Sequence, residues 1–151
     1  STPILLLTAL TAVAVFILSY RKRKSFGDFK KRLEIINNYF DAVGLAVFTV
    51  IGVEKAAEAG FGSHFVFAVC MGVLTGVGGG VLRDVFVDRT PYIFTKHVYA
   101  VASLVGACVY FFGKIYFDKT LAVLISIAII ILIRLLATRF RWQLPKIDLE
   151  K

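Results

Sequence analysis

Apolar residues in this chain come in long runs separated by short charged segments. A run of about 20 residues matches the hydrocarbon core of a bilayer crossed as α-helix. Five such spans are predicted: Pro3 to Tyr20, Asn38 to Ala59, Phe61 to Val77 continued by Val81 to Val87, Val98 to Phe117, and Leu121 to Thr138. The predicted fold class is all-α, a polytopic membrane protein whose residues 1–151 make a single transmembrane domain.

The third run is the unusual one. It reads AVCMGVLTGVGGGVLRDVFVD from Ala68 to Asp88, with Gly78, Gly79 and Gly80 in succession and Arg83 and Asp84 close behind. Each glycine costs about 1 kcal/mol against alanine in a helix interior, so the triplet is expected to interrupt the helix. Backbone freed in this way is tolerated in hydrocarbon only beside protein or a wet cavity, which points to a kink that shapes a permeation path. The other reading is close packing: Ala68, Gly72, Gly76 and Gly80 recur every fourth residue and form a ridge of small residues.

Hydrophobic residues make up 58% of the 151, which places the chain among membrane proteins and leaves no room for a soluble domain. The formal net charge of +8 would suit nucleic acid, but the basic residues lie in short loops, and no groove-reading element remains for that role. Those loops instead report orientation. Arg21, Lys22, Arg23, Lys24, Lys30, Lys31 and Arg32 face a single acid, Asp28, and fourteen of the eighteen basic residues fall on one side of the predicted topology. By the positive-inside rule the N-terminus of this chain lies outside and the C-terminus in the cytoplasm. The cluster Arg21 to Lys24 also suits anionic lipid headgroups, although topology alone accounts for it. The basic stretch follows the first apolar run, the reverse of a signal peptide. Cys70 and Cys108 lie in apolar segments without metal-ligand spacing and read as small buried residues. His64 and His97 stand at segment ends with no partner cluster, and no resident metal or cofactor is expected.

Polar residues near span ends are the other candidates. Asn37, Asn38 and Asp41 are placed to cap the second span. Gly44 and Gly52 lie near one face of it. Glu54, Lys55 and Glu58 lie toward its far end, where Lys55 and Glu58 are spaced to pair. They are functional candidates as intramembrane charges, or they reach the interface by snorkelling. Arg83 is expected to pair with an acid on another helix or subunit. Ala102 and Gly106 are spaced for packing, while Tyr99, Tyr110 and Tyr116 suit interfacial positions. Arg134, the one charge of the last span, is expected to snorkel to the cytoplasmic end, beyond which Trp142 marks the interface.

The stretches YFDAVGLAVFTVIGVEKA (Tyr39 to Ala56), GVLTGVGGGVLRDVF (Gly72 to Phe86) and RLLATRFRWQLP (Arg134 to Pro145) resemble the trimeric intracellular cation channels in their bacterial and archaeal branch. The resemblance covers nearly the whole chain. It implies seven spans, two inverted three-helix repeats followed by a closing helix, with a glycine-rich break in the second helix of each repeat. On that plan Pro3 to Tyr20 is the last helix of the first repeat, Asn38 to Phe117 the second repeat and Leu121 to Thr138 the closing helix. The first two helices have no counterpart, so the chain is expected to represent part of a longer protein.

The resemblance further implies a homotrimer in a prokaryotic cell membrane, with potassium and other monovalent cations passing through a pore in each subunit. The matching residues are Gly78, Gly79 and Gly80, with Thr75, Gly76, Arg83, Asp84, Asp41, Glu54 and Lys55 as pore-adjacent or gating candidates. Carbonyls freed from Val77 to Gly80, at the negative end of a half-helix, would hold a permeant cation transiently. Animal members carry a Lys-Glu-Val tripeptide with a gating lysine; here the order is Glu54 then Lys55, which does not reproduce it. A secondary transporter of a small solute such as glycine remains the alternative, because inverted repeats also suit alternating access. No catalytic motif argues for an enzyme.

Overall fold

The computed structural model describes residues 26–88, 90–91, 93 and 98–140, with side chains from residue 35 onward. The predicted span Pro3 to Tyr20, the Arg21 to Lys24 cluster and the tail containing Trp142 lie outside the described residues. Packing divides the chain into Ser1–Asn37 and Asn38–Lys151, and the helix bundle belongs to the second unit.

The described residues form four helices: α1 (Phe26–Ala56), α2 (Phe65–Phe86), α3 (Val98–Tyr116) and α4 (Lys119–Arg139). A single π-helical turn, Ala57–Phe61, follows α1, and Gly60 within it takes a φ of 91°, a conformation that suits a residue without Cβ. Among the described residues, four segments are long and apolar enough to cross a membrane: Ile35–Phe61, Phe65–Phe86, Val98–Tyr116 and Lys119–Arg139. Each of the last three spans about 30 Å at 1.5 Å per residue. Phe117 and Asp118 alone separate α3 from α4, so these two helices run antiparallel.

The interior inverts the usual size order. Ala42, Ala46, Ala68, Ala102, Ala107 and Ala122 are buried, whereas Phe40, Leu74, Phe86, Ile115 and Leu124 are more than half exposed. Water gives no reason to hide large apolar groups when the surroundings are lipid, so small residues gather where helices must approach. The ridge Ala68, Gly72, Gly76 and Gly80 does face the bundle. A Cβ on Gly52 of α1 would stand 2.6 Å from the Met71 carbonyl of α2 and 2.8 Å from Gly72 Cα, so the two backbones touch there. On the other side of the bundle, a Cβ on Gly106 of α3 would run into Ile130 of α4. Along α4, Ala122, Ser126, Ile130, Arg134 and Ala137 repeat every third or fourth residue and make its buried face.

The structure corrects several expectations. The α2 helix is continuous through Gly78, Gly79 and Gly80, with no positive φ among them, so the expected break is absent and the carbonyls from Val77 to Gly80 stay within a helical run. Glycine weakens a helix without forbidding it, and the buried residues that flank the triplet, Gly72, Gly76, Val77 and Asp84, hold α2 in the bundle as a helix. Asn38 and Asp41 are not caps, because α1 starts twelve residues before Asn38, at Phe26. Tyr99 and Tyr110 are buried, and of the three tyrosines only Tyr116 is exposed. Cys70 is exposed as well.

Neighbouring glycines of α2 should therefore answer differently to alanine. At Gly76 a Cβ meets Thr49 Oγ1, with Leu45 O and Ser103 Oγ each at 3.1 Å, whereas at Gly78 nothing lies within 4 Å. Thermal unfolding in detergent should show Gly76→Ala destabilised by about 1–3 kcal/mol and Gly78→Ala unchanged or stabilised by up to about 1 kcal/mol.

Candidate functional site

Polar residues from all four helices meet at one end of the bundle. Asp41 of α1, 7% exposed, is the centre. Its Oδ1 accepts a hydrogen bond from Arg83 Nη1 of α2 at 2.7 Å and from the Tyr99 hydroxyl of α3 at 3.2 Å. Its Oδ2 accepts from Arg134 Nη2 of α4 at 3.1 Å. Arg83 also donates from Nε and Nη2 to Asp84 Oδ1, at 3.0 and 2.8 Å. Two arginines and two aspartates balance in charge, the condition under which ions tolerate burial.

A second ring of contacts holds Arg134. Its Nη2 reaches Asn38 Oδ1 at 3.3 Å, and its guanidinium lies 4.5 Å from the centre of the Tyr99 ring. Asn38 Nδ2 donates to Thr138 Oγ1 at 3.0 Å, and that hydroxyl donates to the Arg134 carbonyl at 2.9 Å. Spacings of three on α1 (Asn38, Asp41) and four on α4 (Arg134, Thr138) place each pair on one helical face. One donor remains unmatched: Arg134 Nε is buried without a hydrogen-bond partner among the described residues. An unsatisfied buried donor of this kind costs about 1–3 kcal/mol.

Gly80 makes room for the network. A Cβ there would collide with the Tyr99 hydroxyl and stand 3.4 Å from Asp41 Oδ1. The last glycine of the triplet thus allows Tyr99 and Asp41 to approach α2 closely.

Sequence comparison identifies the lineage. A family profile described as "Glycine transporter" matches residues 38–114. The chain belongs to this family. Over 113 residues it is 43% identical to the UPF0126 inner membrane protein YadS of Escherichia coli strain K12, covering 74% of this chain and 54% of that protein. A UPF0126 membrane protein of Vibrio cholerae is 38% identical over 112 residues, covering 74% of this chain and 46% of that one. The chain therefore spans about half the length of the curated relatives it matches. Among solved structures, a TRIC cation channel superposes with a TM-score of 0.71 at 29% identity, covering 94% of this chain and 68% of that one. A prokaryotic TRIC channel crystallised in 0.5 M KCl gives 0.72 at 27% identity, with 89% and 66% covered. The chain is a TRIC-like member of the family and an all-α membrane protein.

Within this TRIC-like bundle, the predicted residues divide into separate places. Asp41, Gly80, Arg83 and Asp84 come together, and Arg83 pairs with an acid of another helix as expected. Arg134 joins them instead of snorkelling: it is 2% exposed. Glu54 and Lys55 lie about 20 Å away along α1, at 1.5 Å per residue. There Glu54 accepts hydrogen bonds from Tyr110 and Lys119, and Lys55 pairs with Glu58 at 2.6 Å on the surface. Between the two ends, Thr49 and Ser103 share a buried hydrogen bond of 2.7 Å against Gly76. Thr75 turns its hydroxyl back to the Met71 carbonyl at 2.7 Å. Gly78 faces open space, and Gly79 has the Phe48 ring edge 3.4 Å from where its Cβ would be.

Asn38 was read from sequence only as a helix cap and Tyr99 only as interfacial, while Thr49 and Ser103 were not candidates at all. The signal that would have joined Asn38 and Tyr99 to the site is the topology itself: successive antiparallel spans return Asn38, Arg83, Tyr99 and Arg134 to the same end.

Removing the central charge should be severe. Asp41→Asn leaves two guanidinium groups without their shared counter-ion and should cost about 3–5 kcal/mol in unfolding experiments. Gly80→Ala should cost about 1–3 kcal/mol, and Tyr99→Phe should recover much of it, because the hydroxyl in the way is gone. A double-mutant cycle on Gly80 and Tyr99 measures that coupling.

Proposed function

We propose that this chain belongs to a monovalent cation channel permeable to potassium. The observation that carries the reading is the fold match to a solved TRIC cation channel across 94% of this chain at 29% identity. The path is assigned to the small-residue surface at Gly78 and Gly79. A Cβ on Gly78 would meet nothing within 4 Å, and Gly79 is bordered only by the edge of Phe48. With α2 unbroken, the part played by these glycines is to leave width for water and an ion beside the helix. Weak, exchangeable contacts with water suit conduction better than a fixed cage. Two other parts of the reading follow from the resemblance and the charge pattern: a homotrimer with one pore per subunit, and a C-terminus on the cytoplasmic side of a prokaryotic inner membrane. Anionic lipid at Arg21 to Lys24 would suit that orientation.

A second reading, a carrier for a small solute such as glycine, is favoured by the family's description. Recordings in planar bilayers separate the two. Discrete potassium current steps, at rates far above carrier turnover, support the channel. Saturable, gradient-coupled glycine uptake without steps supports the carrier.

Filling the open surface should then act on flux while sparing the fold. Gly78→Leu is expected to reduce unit conductance by about tenfold with normal expression and unfolding temperature, since conduction is sensitive to the shape and lining of a pore. An unchanged current would move the path away from α2.

A further inference from the structure

At the opposite end of the bundle from Asp41, the junction of α3 and α4 shapes an apolar crevice of about 210 Å³. Gly113 and Ala122 form its floor, where a Cβ on the glycine would stand 3.4 Å from the alanine Cβ. Phe112 and Tyr116 of α3, Phe117 of the turn and Ile125 of α4 wall it. The three aromatic residues are each half or more exposed, so the crevice opens on the surface of this four-helix unit. It is smaller than the roughly 300–1,000 Å³ of a pocket that encloses a small molecule, and its lining is apolar apart from the Tyr116 hydroxyl. A stretch of hydrocarbon chain fits it better than a whole soluble ligand.

Two charges stand at its rim. Asp118 follows Phe117 directly, and its carbonyl accepts the Ala122 amide hydrogen at 3.0 Å, which sets it one turn from the floor. An aspartate at a helix N-cap ordinarily bonds its carboxylate to a backbone N–H. Asp118 caps α4 without that bond, and its carboxylate has no ion pair among the described residues. Beside it, Lys119 reaches Glu54 through Nζ while its side chain stays 69% exposed, and an ammonium has three hydrogens to donate. An unpaired carboxylate and a lysine with donors left over therefore sit together above a slot for hydrocarbon. A zwitterionic lipid complements that pattern, and Tyr116 suits the headgroup level.

We propose that this crevice holds one acyl chain of a phospholipid whose headgroup carries a primary ammonium, as phosphatidylethanolamine does. The ammonium donates to Asp118, the phosphate accepts from Lys119, and the chain lies over Gly113. A choline headgroup has no N–H to donate and a glycerol headgroup has no positive charge, so Asp118 makes the site selective. The site is separate from the Arg21 to Lys24 cluster, and it stands whether the chain passes ions or carries a solute.

Native mass spectrometry of the purified, delipidated protein tests it, with dioleoyl phosphatidylethanolamine, phosphatidylcholine and phosphatidylglycerol titrated in turn. A single phosphatidylethanolamine per chain should be retained in preference to either of the others. Asp118→Asn should weaken that lipid by about tenfold, the loss of one charge-assisted hydrogen bond, and leave phosphatidylcholine unchanged. Dioleoylglycerol, with the same chains and no charged headgroup, should bind weakly and be indifferent to Asp118→Asn. Gly113→Leu fills the crevice and should abolish retention of phosphatidylethanolamine at an unchanged oligomeric mass. Should that variant not fold, Ile125→Trp closes the same space from α4. Equal retention of the three phospholipids would overturn the proposal, as would phosphatidylethanolamine binding untouched by filling the crevice. A crevice-filling variant that changes the oligomeric mass and not the bound lipid would give the space to a second copy of the chain, which also overturns it.

Discussion

A carboxylate withdrawn from water needs a positive partner, and Asp41 has two. Arg83 on α2 and Arg134 on α4 reach its separate oxygens, and the Tyr99 hydroxyl of α3 completes the set. Coulomb attraction is strengthened and desolvation penalised in the same low-dielectric surroundings. The arrangement is therefore tolerable only with all partners present and close. That requirement brings one end each of α2, α3 and α4 to the middle of α1. Much of the remaining architecture is what allows helices to come so near.

Small residues supply that nearness. Gly52 against Met71 and Gly72, Gly76 against Thr49 and Ser103, Gly80 against Tyr99, and Gly106 against Ile130 form a series of close approaches through the bundle. In lipid, such contacts and buried hydrogen bonds such as Thr49–Ser103 take over the cohesive part that large apolar side chains play in water-soluble cores. The phenylalanines and leucines are then left facing outward, as Phe40, Phe86 and Leu124 do.

Much of this was legible in the sequence. Apolar run length located the described spans to within a few residues, because hydrocarbon thickness sets helix length directly. The four-residue recurrence of Ala68, Gly72, Gly76 and Gly80 identified the packed face of α2, since helical period turns spacing into geometry. The site was read less well. Arg83 and Asp84 stood out as charges beside the glycines, but Asp41 was read as a helix cap and Arg134 was expected to snorkel. A lone arginine near a helix end carries no local sign of whether its partner is water or a carboxylate. That partner, Asp41, is 93 positions away in the chain, and only the packing of four helices reveals it. Tyr99 and Tyr110 were misplaced for the same reason: a tyrosine near a span end suits the interface, but both hydroxyls instead find buried or half-buried carboxylates.

The glycine triplet carries the sharpest lesson about local rules. Propensity alone argues for a break, yet α2 continues through all three positions. The reason differs at each. Gly80 is required by proximity, because any side chain there would meet Tyr99 and crowd Asp41. Gly79 is limited by the edge of Phe48. Gly78 has nothing within 4 Å of where its Cβ would be among the described residues, so their packing and backbone conformation do not explain the absence of a side chain. Of the three, Gly80 alone is demanded by a close neighbour, and there proximity rather than helix propensity decides which residue fits.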